Sequence, residues 1–174
     1  MNILVVIDMQ HDFIDGALGT PEAVAIVPKV MVKMMNFDGL VLATRDTHGE
    51  DYLERQEGKK LPVVHCIKGT HGWEIKDEIQ QLLISQPIDK PTFGSEALGK
   101  VLKDLNNDVE PIDSITLVGL CTDICVISNA MLLKAFYPEV PISVDASACA
   151  GVTPQSHKNA LEAMKMCQID IVNE

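Results

Sequence analysis

The run Ile3-Leu4-Val5-Val6-Ile7, stopped by Asp8, constrains this chain more than any other stretch. Consecutive apolar, mostly β-branched residues without polar alternation suit a parallel strand covered on both faces. Comparable strand signals recur at Leu40–Thr44, Leu82–Ile88, Ser114–Leu120, Ile142–Asp145 and Ile169–Val172. Helical periodicity fills the intervals. Val24, Val27, Met31 and Met34 keep one face from Pro21 onward, Leu98, Val101, Leu102 and Leu105 a second, and Ile124, Ile127, Met131 and Ala135 a third. A fourth helix carries Ala160, Leu161 and Met164, with Thr153-Pro154 as its cap and first turn. Strand and helix alternating in this way predict an α/β fold, an open parallel sheet with helices on both faces. There is no internal repeat or linker, and residues 1–174 read as one domain.

Composition narrows the function classes. Hydrophobic residues make up 47% of the 174, enough for a sizeable core. Lys and Arg number 14 against 25 Asp and Glu, a formal net charge of −11. Such a surface repels phosphate backbones and anionic lipid, so neither nucleic acid nor membrane is expected as a partner. The first apolar run is far short of a membrane span and lacks the basic flank and cleavage site of a signal peptide. Five cysteines (Cys66, Cys121, Cys125, Cys149, Cys167), an odd number without a secretory signal, read as reduced thiols in a cytoplasmic protein.

Ligands of open parallel sheets sit beyond the carboxyl ends of the strands. Asp8 follows the first predicted strand, Asp46 and His48 the second, Lys90 the third, and Cys125 lies just past the fourth. The unusual polar residues thus share one edge. In Gly119-Leu120-Cys121-Thr122-Asp123-Ile124-Cys125-Val126, Cys125 falls in the first turn of a helix, where the helix dipole and unpaired N–H groups favour a thiolate and can hold an oxyanion. By position alone, the plainer readings win: Cys125 as a small buried apolar residue, Asp8 as a loop group and Lys90 as a solvated charge. Together, a thiol, an acid to carry its proton and an ammonium to balance charge form a complete nucleophilic set. Cys121 lies four residues before Cys125, not at the spacing of a redox or zinc pair, and reads as packing or oxyanion-loop structure.

The irregular stretch from Arg45 to about Gly72 is long enough to suggest function. It holds Asp46-Thr47-His48 and, further on, His65. Two imidazoles and a carboxylate suit zinc, iron or manganese and leave positions open, with Glu57 able to add a fourth ligand. His11, His71 and His157 read as surface or capping residues.

Taken together, these residues resemble the isochorismatase-like cysteine hydrolases, and within them the nicotinamidases. The similarity spans the whole chain. It rests on Asp8-Met9-Gln10-His11-Asp12-Phe13, Thr44-Arg45-Asp46-Thr47-His48, His65-Cys66-Ile67-Lys68-Gly69-Thr70-His71-Gly72, Lys90-Pro91-Thr92-Phe93 and the segment around Cys125, in the family's order. The resemblance implies a three-layer α/β/α, Rossmann-like fold of about six strands. It implies a catalytic triad of Asp8, Lys90 and Cys125, an oxyanion held by the N–H groups of Cys121 and Cys125, and a cis peptide at Leu120–Cys121. It also implies one divalent metal ion, zinc foremost, on Asp46, His48 and His65, which orients the ring of a nicotinamide whose carboxamide is hydrolysed through a thioester.

The chain departs from the nicotinamidase pattern where an aromatic residue usually precedes the second metal histidine by three positions, since Lys60-Leu61-Pro62-Val63-Val64 has none. Phe13, Phe93 or Trp73 would then line the substrate pocket. The alternatives are a hydrolase of another small amide or carbamoyl compound, and a non-catalytic metal or thiol protein. A small-molecule amide is the expected partner, and a homo-oligomer is compatible with the sequence.

Overall fold

β1 (Asn2–Ile7) sits in the middle of the sheet, where a strand apolar on both faces has to be. In the computed structural model, which describes residues 1–174 apart from the side chain of Asp108, Ile3 through Ile7 have no exposed surface at all. Each such side chain contributes about 1.5–3 kcal/mol by leaving water.

The elements that follow are α1 (His11–Ile14), α2 (Pro21–Met35), β2 (Leu40–Asp46), α3 (Gln56–Lys60), α4 (Asp77–Gln80), β3 (Ile88–Lys90), α5 (Glu96–Asp108), β4 (Ser114–Leu120), α6 (Ile127–Phe136), β5 (Ile142–Ala150), α7 (Pro154–Met166) and β6 (Asp170–Val172). A turn of π-helix, Thr122–Val126, joins β4 to α6. All strand pairs are parallel, in the order β3-β2-β1-β4-β5-β6. The winding reverses between β1 and β4, and that switch point opens a crevice at the carboxyl edge.

The two faces of β1 feed two cores, because successive side chains alternate. Ile3, Val5 and Ile7 pack with Leu98 and Leu102 of α5, Leu133 of α6 and Leu161 and Met164 of α7. Leu4 and Val6 pack with Ala23, Ile26, Val27, Val30 and Met34 of α2. The result is the expected three-layer arrangement. Helix starts follow local capping chemistry. Thr20 accepts from the N–H of Ala23 with Pro21 next in line, Ser95 accepts from Leu98, and Thr153 and Ser156 form a capping box before α7.

Several expectations need correction. The third strand is not Leu82–Ile88: β3 begins at Ile88 and ends at Lys90, Pro87 cannot donate to a ladder, and Ile84 is 85% exposed. β5 continues to Ala150, past Asp145. On α2, Val24 faces solvent and the buried stripe is carried by Ala23, Ile26, Val27, Val30 and Met34. On α6, Met131 and Ala135 face outward while Asn129, Ala130 and Leu133 face in. The π turn holds an extra residue ahead of the helix and shifts the phase of its buried stripe. His11 is buried rather than at the surface, with its ring centroid 4.0 Å from that of His71. No helix among the described residues is long and apolar enough to cross a membrane.

Candidate active site

Asp8 is the first residue past β1, at φ +46°, a left-handed conformation uncommon for a side-chain-bearing residue and best tolerated by Asp and Asn. The N–H of Gln10 donates to the Asp8 carbonyl at 2.7 Å and closes this tight turn. The carboxylate is wholly buried, and its Oδ1 accepts from Thr44 Oγ1 at 2.7 Å. Its Oδ2 lies 2.7 Å from Lys90 Nζ but accepts no aligned hydrogen bond.

Lys90, the last residue of β3, is sealed from solvent and sits among acceptors. Its ammonium lies 3.3 Å from Cys125 Sγ, 3.3 Å from Asp46 Oδ1 and 3.2 Å from the Thr92 carbonyl. Desolvation disfavours its charge, yet Asp8, Cys125 and Asp46 together reverse this and hold the lysine protonated far above its ordinary range. Desolvation raises the Asp8 pKa, and the opposing charge of Lys90 only partly offsets it. Cys125 is 4% exposed; burial first, and the Asp8 charge second, push its thiol well up while Lys90 pulls down. Burial thus favours the protonated thiol, while Lys90 stabilises negative charge on either the sulfur or the carboxylate.

Cys125 lies in the π turn, and Cys121 caps that turn's N-terminus. The Leu120–Cys121 peptide is cis, as the resemblance implies. Burial pushes the Cys121 thiol up to about 12.

A second cluster adjoins the first. Asp46 Oδ2 lies 2.8 Å from His48 Nε2 and 3.7 Å from His65 Nε2, and Glu57 Oε1 lies 3.6 and 3.9 Å from the same two nitrogens. One ligand atom from each of Asp46, His48, Glu57 and His65 falls within 4.8 Å of all the others. His65 Nδ1 is 2.8 Å from the Val63 carbonyl, which assigns the proton to Nδ1 and leaves Nε2 as a donor lone pair. His48 Nε2 is buried without a hydrogen bond. Two imidazoles and two carboxylates converging around an orphaned nitrogen fit a divalent transition ion. Burial would raise the Asp46 pKa, but the contact with His48 and the charge of Lys90 outweigh it, so the net shift is downward.

Both clusters open into one cavity of about 540 Å³. Phe13 and Phe93 line it, together with Asp46, Glu57, His65, Cys121 and Cys125. Trp73 does not line it. Its ring is covered by the Arg45 guanidinium, 3.5 Å from the ring centroid, and its indole N–H donates to Thr47 Oγ1 at 2.8 Å. The same arginine pairs with Asp89, so the ring is part of a cation–π and ion-pair stack.

Sequence reasoning missed three supporting residues. Gln10, fully buried, accepts from the Asp46 N–H at 2.7 Å and donates to the Asp46 carbonyl at 2.8 Å. Asn129 donates to the carbonyls of Cys125 and Phe93 and accepts from the N–H of Ser95, binding the π turn of Cys125 to the loop after β3. Tyr52 stacks edge-on against His65 and leans on His48. The signal for Gln10 and Asn129 was a polar residue at a position whose neighbours are core.

The isochorismatase domain model matches residues 2–173. A nicotinamidase of Schizosaccharomyces pombe is 23% identical, over 98% of this chain and 92% of its own. An isochorismatase family protein of Bacillus subtilis is 28% identical over 91% of each. A pyrazinamidase of Pyrococcus horikoshii, solved in complex with zinc, superimposes with a TM-score of 0.81 at 28% identity, covering 99% of both chains. The yeast nicotinamidase shares the fold, with a TM-score of 0.84 at 19% identity over the whole of both chains. The chain belongs to the isochorismatase family.

Proposed function

We propose that residues 1–174 act as one domain, a metal-containing nicotinamidase that converts nicotinamide and water to nicotinate and ammonia. The observation that carries this reading is Lys90 Nζ at 2.7 Å from Asp8 and 3.3 Å from Cys125 Sγ, beside a four-donor cluster in the same cavity. Relatives that bear the names nicotinamidase and pyrazinamidase support the substrate class.

In this reading Asp8 Oδ2 takes the thiol proton, and Cys125 Sγ attacks the carboxamide carbon. The N–H groups of Cys121 and Cys125 hold the oxyanion of the tetrahedral adduct. Asp8 returns the proton to the departing nitrogen, the C–N bond breaks and ammonia leaves a thioester. Asp8 then removes a proton from water, whose oxygen attacks the thioester carbon, and the C–S bond breaks to give nicotinate and the thiol. Lys90 keeps the cluster's charge balanced throughout, since only the proton moves. A divalent ion, zinc for choice, held by Asp46, His48, His65 and Glu57 would supply a Lewis-acid contact to the pyridine nitrogen and so orient the ring.

Ammonia release from nicotinamide by the zinc-loaded protein tests this, with Cys125→Ala as the control. Turnover that disappears in the variant is expected. Turnover that persists there would reject the nucleophile, and none from the wild-type protein would reject the substrate.

A further inference from the structure

The cavity that holds Cys125 has a polar floor and an apolar rim. The floor carries Asp46, His65 and Cys125, each at most 4% exposed, walled by Phe13, Ala23 and Leu120. The rim carries Leu61, Phe93 and Val152, exposed by 38%, 44% and 52%. These come from three separate segments: the end of α3, the loop after β3 and the loop after β5. Scattered exposed apolar residues are ordinary, but three large ones converging on the mouth of a catalytic cavity form a surface that a ligand would dehydrate. The cavity's about 540 Å³ falls within the roughly 300–1,000 Å³ of sites that enclose drug-sized ligands, more than one ring and a carboxamide fill.

The chemistry of the ring sets the direction of the spare room. A nicotinamide whose carboxamide meets Cys125 and whose ring nitrogen faces the donor cluster directs C2, the atom between those two groups, at the floor. C5, diametrically opposite, then points toward the mouth. The charged side chains lining the cavity are Asp46 and Glu57 in the donor cluster and the exposed Lys60, so Leu61, Phe93 and Val152 offer nothing to a charged substituent.

We propose that this rim is a substituent subsite, and that the preferred substrates are pyridine-3-carboxamides bearing a neutral apolar group at C5. The proposal rests on the amidase reading above and narrows its substrate class. No aromatic residue stands between Lys60 and His65, and Leu61 lines the cavity there, so the rim on that side is aliphatic.

The test compares nicotinamide with 5-phenylnicotinamide on the zinc-loaded full chain, reading kcat/KM for each. The phenyl compound is expected to be favoured by about tenfold, chiefly through a lower KM, as burial of a phenyl face against three apolar side chains implies. In Leu61→Ser/Val152→Ser the ratio between the two substrates should collapse toward one. A wild-type ratio at or below one, or a ratio that the double substitution leaves intact, would overturn the subsite. If neither amide is hydrolysed, the amidase reading fails. Calorimetric binding of the two amides to Cys125→Ala then still decides the rim: tighter binding of the phenyl compound, lost with the rim substitutions, supports it, and equal binding overturns it.

Discussion

Asp8 and Lys90 face each other across 2.7 Å with neither side chain reaching solvent. A pair of this kind gives little net stability, because both charges lose their hydration, but removing one partner strands the other. Lys90→Met would leave the carboxylates of Asp8 and Asp46 buried together without a cation. A loss of about 3–5 kcal/mol at neutral pH is expected. Lys90 holds the Asp8 pKa down, so without it that already raised folded value climbs further. An ionised group whose folded pKa exceeds its unfolded one destabilises the fold above that range, and protonation relieves it. The deficit should therefore be largest at pH 8 and shrink toward pH 4, and urea unfolding at both would show this. An equal deficit at the two pH values would contradict it.

Burial first, and the charge of Asp8 second, raise the Cys125 pKa. Asp8→Asn should accordingly make Cys125 more reactive toward iodoacetamide near pH 7.5, while turnover falls by about 10²–10⁴-fold as the proton carrier is lost. Mass spectrometry of the alkylated peptide separates Cys125 from the other thiols. Slower alkylation in the variant would mean that Asp8 is not what keeps the sulfur protonated at rest.

His65 is anchored by the Val63 carbonyl and presents Nε2 to Asp46 and Glu57. Zinc should raise the melting temperature of the wild-type protein, and a chelator should reverse the gain. His65→Ala should weaken zinc binding at least about 10-fold and erase most of that shift. An unchanged zinc-induced shift in the variant would place the ion elsewhere.

On the far side of the sheet from α5, Asp145 of β5 accepts from Lys33 at 2.8 Å, Ser147 at 2.8 Å and Asn173 at 2.9 Å. Burial alone would raise its pKa, but these donors outweigh it and the net shift is downward. A depressed folded pKa gives stability that is complete above the unfolded carboxylate's value of about 3.9 and disappears as pH falls through the folded one. Asp145→Asn should cost about 1–3 kcal/mol at pH 7, and the two proteins should converge near pH 2. Thermal unfolding across that range checks it; a gap that persists in acid would sink the linkage.

Much of the site was legible because its chemistry obeys sheet geometry. Asp8, Asp46, Lys90 and Cys125 each stand at or just past the end of a strand, so parallel strands bring them to one edge whatever the helix details. His65 was harder to place, since its position depends on an irregular loop, and its pairing with Asp46 follows from contacts no periodicity records. Trp73 enters the sequence reading only because residues 60–64 offer no aromatic, whereas in the fold Arg45 covers its ring. Gln10 and Asn129 stand out in the sequence only as polar residues among core neighbours, which does not say what they hold. Their partners are backbone carbonyls and N–H groups of distant segments, which no residue-type pattern reveals. The rotated stripe of α6 has the same origin, since a π turn leaves no composition signature.

β3 is three residues long and lies at the rim of the sheet, paired only with β2 through Thr44↔Ile88, Arg45↔Asp89 and Asp46↔Lys90. The ammonium that balances the site is thus carried by one of the sheet's most lightly tethered strands, held further by Arg45 of β2 and by Lys68, both on Asp89. Fraying of that edge would withdraw Lys90 while the central strands and both cores stay intact. Inactivation and unfolding then become separate events, with the catalyst going silent at a milder denaturant concentration than the one that melts the molecule.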